Sequence, residues 1–177
     1  MVPHPLHGEL VRLRAFEPED AEHLQRWFTD SEVLYNLTRT YPKPVAAWRD
    51  ELARAPAASY AGVHLMVETH EGRPIGDVAL TPWRPESRCA RLGIAIGEPA
   101  YRGSGYGTDT MRTICRFGFE MMNLHRIELE VFADNERARH VYEKVGFRTE
   151  GVRHEAFFRF GTWTDIVMMG LLEGQLR

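Results

Sequence analysis

A run of glycine and polar residues at positions 101–107, Tyr-Arg-Gly-Ser-Gly-Tyr-Gly, has the composition of an anion-binding turn. Glycine lacks the Cβ atom that holds a ligand away from the backbone, and it tolerates positive φ angles. A helical pattern follows the run, and the first turn of a helix offers unpaired N–H groups and the positive end of the helix dipole. These features predict a phosphate site, to which Arg102 adds a charge that can bind two phosphate oxygens. A plain glycine turn is the alternative interpretation.

Two familiar phosphate motifs do not match this run. The P-loop requires Gly-Lys followed by Ser or Thr, whereas Thr108 and Asp109 follow the last glycine. The dinucleotide motif Gly-x-Gly-x-x-Gly has its third glycine one residue later and lies near the start of its domain. The pattern therefore disfavours ATP and nicotinamide cofactors and predicts a phosphate-bearing ligand of another kind.

The patterns around the turn indicate which elements hold it. The turn lies between a strand and a helix, and Asn135 and Gly146 are typical first and last caps of a later helix. Strands outnumber helices and one βαβ passage is present, which predicts a mixed, largely antiparallel sheet with helices on both faces. The predicted strands are residues 10–16, 63–68, 75–80, 92–97, 127–131, 147–153 and 163–171, and the predicted helices begin near residues 17, 45, 107 and 136.

Length and composition limit the classes of protein. The 177 residues predict a single domain spanning 1–177. The net charge of −3 and the lack of a basic run predict no nucleic-acid partner. The chain has neither a membrane-length apolar run nor a secretory signal, which predicts no membrane and a cytoplasmic location. Cys89 and Cys115 lack metal or redox spacing, and no histidine cluster resembles a ligand set, so we expect no metal and a buried Cys115.

The run at 102–107 also resembles the Gln/Arg-x-x-Gly-x-Gly/Ala signature of the GNAT superfamily of N-acetyltransferases. Further blocks at 11–14, 19–21, 124–129, 135–138, 142–147 and 161–165 are similar to the RimJ/RimL-type branch, which acetylates the N-termini of ribosomal proteins. The resemblance covers nearly the whole chain. It implies a mixed, mainly antiparallel sheet of about seven strands flanked by four helices, with a bulged strand that splays from its neighbour to form an acetyl-CoA slot.

The resemblance implies acetyl-CoA as cosubstrate and assigns residues to it. A backbone N–H of Ile94 or Ala95 would stabilise the developing oxyanion. Tyr142 matches the tyrosine that protonates the departing sulfur, although a core aromatic is its alternative role. The residues implied for the pyrophosphate are Arg102, Gly103, Ser104, Gly105, Tyr106, Gly107 and Thr108, and those implied for the pantetheine arm are Ile94, Ala95, Ile96, Asn135, Ala138 and Tyr142.

The general base is not evident from the sequence. Many relatives carry Glu near the start of the cofactor strand, where this chain has Arg91. A water relay is the alternative for an N-terminal amine, whose unperturbed pKa of about 7.7–8.0 leaves much of it neutral. The remaining candidates, each with a surface or structural role as its alternative, are Glu98, His154, Glu155 and Asp165.

The expected activity is direct acetyl transfer to a primary amine, with a protein N-terminus first and a polyamine, amino sugar or antibiotic amine next. A non-catalytic acyl-CoA sensor and an unrelated ATP enzyme are the alternatives. A homodimer fits the resemblance. Candidate walls of the acceptor pocket, for which a core role is the alternative, are Trp27, Tyr35, Tyr41 and Trp48.

Overall fold

A computed structural model describes residues 4–37, 41–54, 59 and 62–177, and its centre is a seven-stranded sheet. The strands lie in the order β1-β2-β3-β4-β5-β7-β6, and β4–β5 is the one parallel pair among them. The strands are β1 (Val11–Arg14), β2 (Val63–Thr69), β3 (Pro74–Arg84), β4 (Cys89–Ile96), β5 (Arg126–Phe132), β6 (Arg148–Arg159) and β7 (Thr162–Leu172). The helices are α1 (Ala21–Trp27), α2 (Ser31–Tyr35), α3 (Val45–Arg54), α4 (Tyr106–Glu120) and α5 (Glu136–Val145).

Helices cover both faces of the sheet, as the strand alternation requires. In β2, Leu65 belongs to the large core that includes residues of α4 and α5, whereas Met66 packs with α1 and α3 on the other face. Close packing is visible at Gly118 of α4, where a Cβ atom would lie 3.0 Å from Leu80 and 3.2 Å from Ile127. No helix within the described ranges is long and apolar enough to cross a membrane.

The expected splay between two neighbouring strands is present at β4 and β5. Their ladder consists of Cys89–Arg126, Ala90–Ile127 and Arg91–Glu128, and it ends there although both strands continue. The prediction of a bulge in β4 was wrong. The β3–β4 ladder is regular from Gly76/Ile96 to Pro82/Ala90, and its irregularity lies between Pro82 and Arg84 on the β3 side.

The four expected helices are present, and α2 is a fifth. Asp30 caps α2, since its side chain accepts hydrogen bonds from the N–H groups of Glu32 and Val33. Residues 81–88 lie between two predicted strands; the first four extend β3 to Arg84, which leaves a single 3₁₀ turn, Pro85–Ser87, before β4. The closing hairpin is also longer than expected, because β6 continues past an irregularity between Arg153 and Phe157.

Candidate active site

The glycine turn before α4 exposes a run of free backbone amides. Gly103 and Gly105 have φ angles of 82° and 91°, which only glycine adopts readily, and Gly105 is the N-cap of α4. The N–H groups of residues 103–108 donate to no acceptor among the described residues, whereas the next, Asp109, donates to Gly105. Gly107 is unconstrained, since a Cβ there would meet Ile96 at an ordinary 3.7 Å. The turn therefore has the form of an anion cradle.

Arg102 is held differently from the expectation that it forks onto phosphate. Its Nε and Nη2 donate to the carbonyl oxygens of Ile96 (2.9 Å) and Gly97 (2.7 Å). Its Nη1 lies 2.8 Å from Glu32 Oε2, an ion pair whose geometry is not that of a hydrogen bond. The guanidinium thus ties the turn to the end of β4 and to α2, and the anion-binding groups that stay free are the backbone amides.

Asp109, in the first turn of α4, fixes the start of that helix to the N-terminal segment. Its carboxylate accepts the N–H groups of Glu9 (3.0 Å), Leu10 (2.7 Å) and Val11 (3.0 Å). Asp109, which stands where a P-loop would have Ser or Thr, therefore has a structural role: it holds the free amides of the turn in place.

A cavity of about 430 Å³, here the turn cavity, lies beside these amides. Basic side chains of Arg102, Arg137 and Lys144 line it, with Glu32 as the one carboxylate among its described lining residues. Of the residues expected to bind the cofactor, Ser104 and Tyr106 are outside the lining, and the Tyr106 ring packs edge-on against Tyr101. The expected residues that do line it are Ile94, Ala95, Ile96, Arg102, Gly103, Gly105, Gly107, Thr108, Asn135, Ala138 and Tyr142.

A second cavity of about 440 Å³, here the sheet cavity, opens between the splayed ends of β4 and β5. It shares residues with the turn cavity, so the two meet. The shared residues are Asn36, Leu37, Ile94, Ala95, Asn135 and Tyr142.

Tyr142 and Asn135 stand at this junction because α5 begins there. Asn135 caps α5, its side-chain oxygen accepting the N–H of Ala138 at 3.1 Å. Burial raises the pKa of Tyr142 to about 12, so its phenol stays protonated throughout the physiological range. The hydroxyl makes no hydrogen bond to any described residue, which leaves it free to donate to a ligand.

The sheet cavity contains a pair of titratable residues that the sequence did not indicate. His64 Nε2 lies 2.9 Å from Asp77 Oδ2, and Asp77 Oδ1 is buried without a hydrogen-bond partner among the described residues. Arg91 and Glu130 also line the cavity and pair with each other at 3.2 Å. The turn cavity is thus lined mainly by basic groups, whereas the sheet cavity contains carboxylates together with a basic side chain, Arg91.

The family is decided by comparison with known proteins. Residues 11–148, about three quarters of the chain, match the acetyltransferase (GNAT) domain. The chain belongs to the GNAT acetyltransferase family. No group of three or more His, Cys, Asp or Glu side chains in the part of the acetyltransferase that the structure describes is placed to hold a metal ion.

Individual relatives of the acetyltransferase are N-acetyltransferases. It is 28% identical over 176 residues to the spermidine N(1)-acetyltransferase of Escherichia coli K12, a match that covers 93% of this chain and 87% of that one. It is 29% identical over 166 residues to the L-amino acid N-acetyltransferase AaaT of the same strain, covering 92% and 97%. The crystal structure of Vibrio cholerae spermidine N-acetyltransferase with CoA and spermine has a TM-score of 0.81 at 25% identity, covering 93% and 96%.

Three of the four base candidates named from the sequence of the acetyltransferase, Glu98, His154 and Asp165, have side chains that are bound elsewhere. Glu98 is buried and accepts hydrogen bonds from Trp27 Nε1 (2.9 Å) and from Arg26. Asp165 holds the irregular part of β6, accepting Glu155 N–H (2.8 Å) and pairing with His154 Nδ1 (2.9 Å). These contacts lower the pKa of Asp165, the backbone bond most. None of the four lines either cavity of the described residues.

The aromatic residues proposed as acceptor walls do not line the cavities either. Trp27 and Trp48 belong to the buried cluster between α1, α3 and the sheet. Tyr35 donates to Asp134 (3.0 Å) and stacks on Phe160 at the tip of the β6–β7 hairpin. Tyr41 is 89% exposed. Aromatic residues at helical spacing are more often packing residues, as Trp27 and Trp48 are here. The sheet cavity is lined largely by residues of the strands.

Proposed function

We propose that this GNAT enzyme transfers an acetyl group from acetyl-CoA directly to a small cationic primary amine. The observation that carries the proposal is the meeting of the turn cavity and the sheet cavity at Tyr142. Two substrates held side by side at such a junction react without a covalent enzyme intermediate.

The turn cavity fits the diphosphate of acetyl-CoA. Free amides of residues 103–108 and the positive end of α4 suit phosphate oxygens, and Arg137 and Lys144 add positive charge. Gly107 keeps the backbone accessible although nothing in the protein requires glycine there. When bound, acetyl-CoA supplies the activated acyl group as a thioester.

The backbone of β4 supports a role for Ile94 in holding that thioester. Residues of an antiparallel strand alternate between bonding to their partner strand and facing away from it. The Ile96 carbonyl accepts from Arg102, so Ile96 faces away from β3, and Ile94 two residues earlier faces the same way. Its N–H is therefore our choice, over that of Ala95, for stabilising the oxyanion.

Tyr142 is our choice for the acid that protonates the leaving sulfur. Its raised pKa keeps the phenol protonated, and its hydroxyl has no protein partner among the described residues. Asn135 lies beside it with its side-chain oxygen used for capping, which leaves the amide NH₂ for the cosubstrate.

The acceptor is placed in the sheet cavity, and a polyamine is our first choice. The carboxylate of Asp77, which has no arginine partner among the described lining residues, suits an acceptor carrying positive charge. Two relatives named as spermidine acetyltransferases support the same choice. The RimJ/RimL-type resemblance instead favours a protein N-terminus, and the relative named for L-amino acids shares that α-amine chemistry.

The test is an acceptor screen with the purified full-length chain and acetyl-CoA, reading thiol release. The panel contains spermidine, spermine, L-amino acids, an amino sugar and peptides with free N-termini. We expect kcat/KM for the polyamines to exceed that for the peptides at least about tenfold, roughly 1.4 kcal/mol of transition-state stabilisation. A preference for peptides would overturn the polyamine choice. Tight binding of CoA with no turnover on any amine would instead identify an acyl-CoA sensor, and binding of ATP in place of CoA would contradict the whole proposal.

A further inference from the structure

We infer that Asp77 binds the reacting ammonium group of the acceptor and that the His64–Asp77 pair takes up the proton which this group must lose. The inference rests on the proposed function, since it assigns a residue to the acceptor side of the same junction. It supplies the general base that none of the sequence candidates provides.

The sheet itself builds the pair. In the β2–β3 ladder His64 lies opposite Ala79 and Met66 lies opposite Asp77, so His64 and Asp77 are diagonal neighbours on one face. Their side chains meet at 2.9 Å, from Nε2 to Oδ2. The His64 ring is also held edge-on by Phe16, with 4.7 Å between ring centroids. The position of the pair is therefore set by regular backbone and by one packed aromatic ring.

Asp77 has an unused bonding site in the cavity. His64 occupies Oδ2, whereas Oδ1 is buried and has no hydrogen-bond partner among the described residues. A buried carboxylate oxygen without a donor is costly, and native structures retain such groups where a ligand completes them. Because Asp77 lines the sheet cavity, a ligand N–H can supply the donor, and an ammonium group provides one together with the opposite charge.

The space in front of Asp77 is kept open by small residues on the same face. Asp77 lies opposite Ala95 and Ala79 lies opposite Gly93 in the β3–β4 ladder. A Cβ atom at Gly93 would meet nothing within 4 Å, so packing does not require glycine there. Ala95 adjoins Ile94, and an amine bound at Asp77 therefore lies beside the strand proposed to hold the thioester.

The other charged groups facing the cavity do not compete for this role. Besides the pair on β2 and β3, they are Arg91 on β4, Glu130 on β5 and the phenol of α5. Glu130 is bound by Arg91 (3.2 Å) and by Arg153 (2.5 Å), which neutralise its charge. Asp77 is thus the carboxylate of the described lining that has no arginine partner. The elements α1, α2 and β7 contribute no charged group among the lining residues described.

The proton balance follows from these positions. The ammonium group gives one proton to the Asp77 carboxylate to which it is bound, and the His64–Asp77 pair as a whole then holds one proton more than before. The nitrogen lone pair then forms the C–N bond while the C–S bond breaks. Tyr142 donates its phenolic proton to the departing sulfur. The nitrogen then loses a second proton, which balances the proton that the phenol gave up. His64, whose side chain is 40% exposed against 13% for Asp77, passes the first proton to water.

The test compares Asp77→Asn and His64→Gln with His154→Gln. The last variant removes a histidine from a matched pair, His154 Nδ1 to Asp165 at 2.9 Å, which is exposed on the hairpin and lines neither cavity. We expect Asp77→Asn to lower kcat/KM for spermidine about 10²–10⁴-fold. We expect CoA affinity to stay within about twofold in all three variants, and His154→Gln to keep full activity.

The pH profile separates a proton acceptor from a merely structural pair. With the pair intact, kcat/KM falls at low pH as the pair becomes protonated. In Asp77→Asn only the small neutral fraction of the amine reacts, so log kcat/KM rises with unit slope up to the pKa of the amine, near ~10 for an alkylamine. His64→Gln removes the imidazole from the pair, so the acid limb of its pH profile should differ from that of the unmodified enzyme.

A weakly basic acceptor and a folding check by thermal unfolding serve as controls. A weakly basic amine should lose less activity than spermidine in Asp77→Asn, because it needs less help with deprotonation. Equal losses for both amines, or an unmoved pH profile in His64→Gln with folding confirmed by thermal unfolding, would overturn the inference. Failure of the proposed function has a different signature, since the unmodified enzyme would then acetylate no amine at all.

Discussion

Replacement of Tyr142 by Phe isolates one hydroxyl group and tests its proposed role in two independent ways. The hydroxyl has no hydrogen-bond partner among the described residues, so its removal leaves no orphaned donor or acceptor in the protein. The free energy of unfolding at pH 7 should therefore change by no more than about 0.5 kcal/mol. Turnover should fall about 10²–10⁴-fold, the usual worth of a positioned acid, with CoA affinity nearly intact.

The same variant has a predictable stability at alkaline pH. Burial raises the pKa of Tyr142 to about 12 from an ordinary value near 10. Between these two values the native state holds the proton and the unfolded state has lost it, so native stability falls as pH rises through this window. A tenfold difference in proton affinity between the two states corresponds to ~1.4 kcal/mol, which gives a loss on the order of 2 kcal/mol by pH 12 that Tyr142→Phe does not share.

The assays are thiol release for turnover, calorimetric titration for CoA, and urea unfolding at pH 8, 9.5 and 11 for stability. The variant should match the unmodified enzyme at pH 8 and exceed it in stability at pH 11. Retained turnover would remove Tyr142 from the mechanism. A loss of CoA affinity as large as the loss of turnover would assign Tyr142 to binding alone. If the unmodified enzyme and Tyr142→Phe lost the same stability between pH 8 and pH 11, the raised pKa of the buried phenol would be refuted.

Three further substitutions or treatments follow from the packing. Gly107→Ala should stabilise α4 by up to about 1 kcal/mol in thermal unfolding yet weaken CoA binding, because the added methyl group meets only Ile96, at 3.7 Å, and intrudes on the cradle. Gly97→Ala should destabilise the fold by about 1–3 kcal/mol in urea, since its Cβ would lie 2.2 Å from the Trp27 ring. Burial raises the pKa of the Cys115 thiol, and of Cys89 less strongly, so Ellman's reagent should label neither until the protein unfolds.

Regular elements were predictable because their signals are local. Residues 45–54 and the cap residues Asn135 and Gly146 were placed correctly from the sequence, since capping and apolar spacing act within one or two turns. The helix α2 was missed because it has five residues and one buried side chain, Val33, too few to form a stripe. Its one available signal was Asp30 followed by Ser-Glu-Val, a capping pattern.

The acceptor side of the site was not predictable in the same way. His64 and Asp77 belong to different strands, and only the register of the β2–β3 ladder brings them together. The side chain of Arg91, the residue that put a carboxylate base at this position in doubt, pairs with Glu130 and stacks over Trp83 at 3.7 Å. The structural role of Glu98, which the sequence kept as the alternative, depends on Arg26 and Trp27, about seventy residues earlier.

The short β4–β5 ladder divides the sheet along a crease. Three residue pairs join the first four strands to the last three, and both cavities open from the point where this pairing stops. Each cavity takes part of its lining from β4 on one side of this crease and part from β5 or α5 on the other. A molecule bound in either cavity therefore bridges the two sides of the crease.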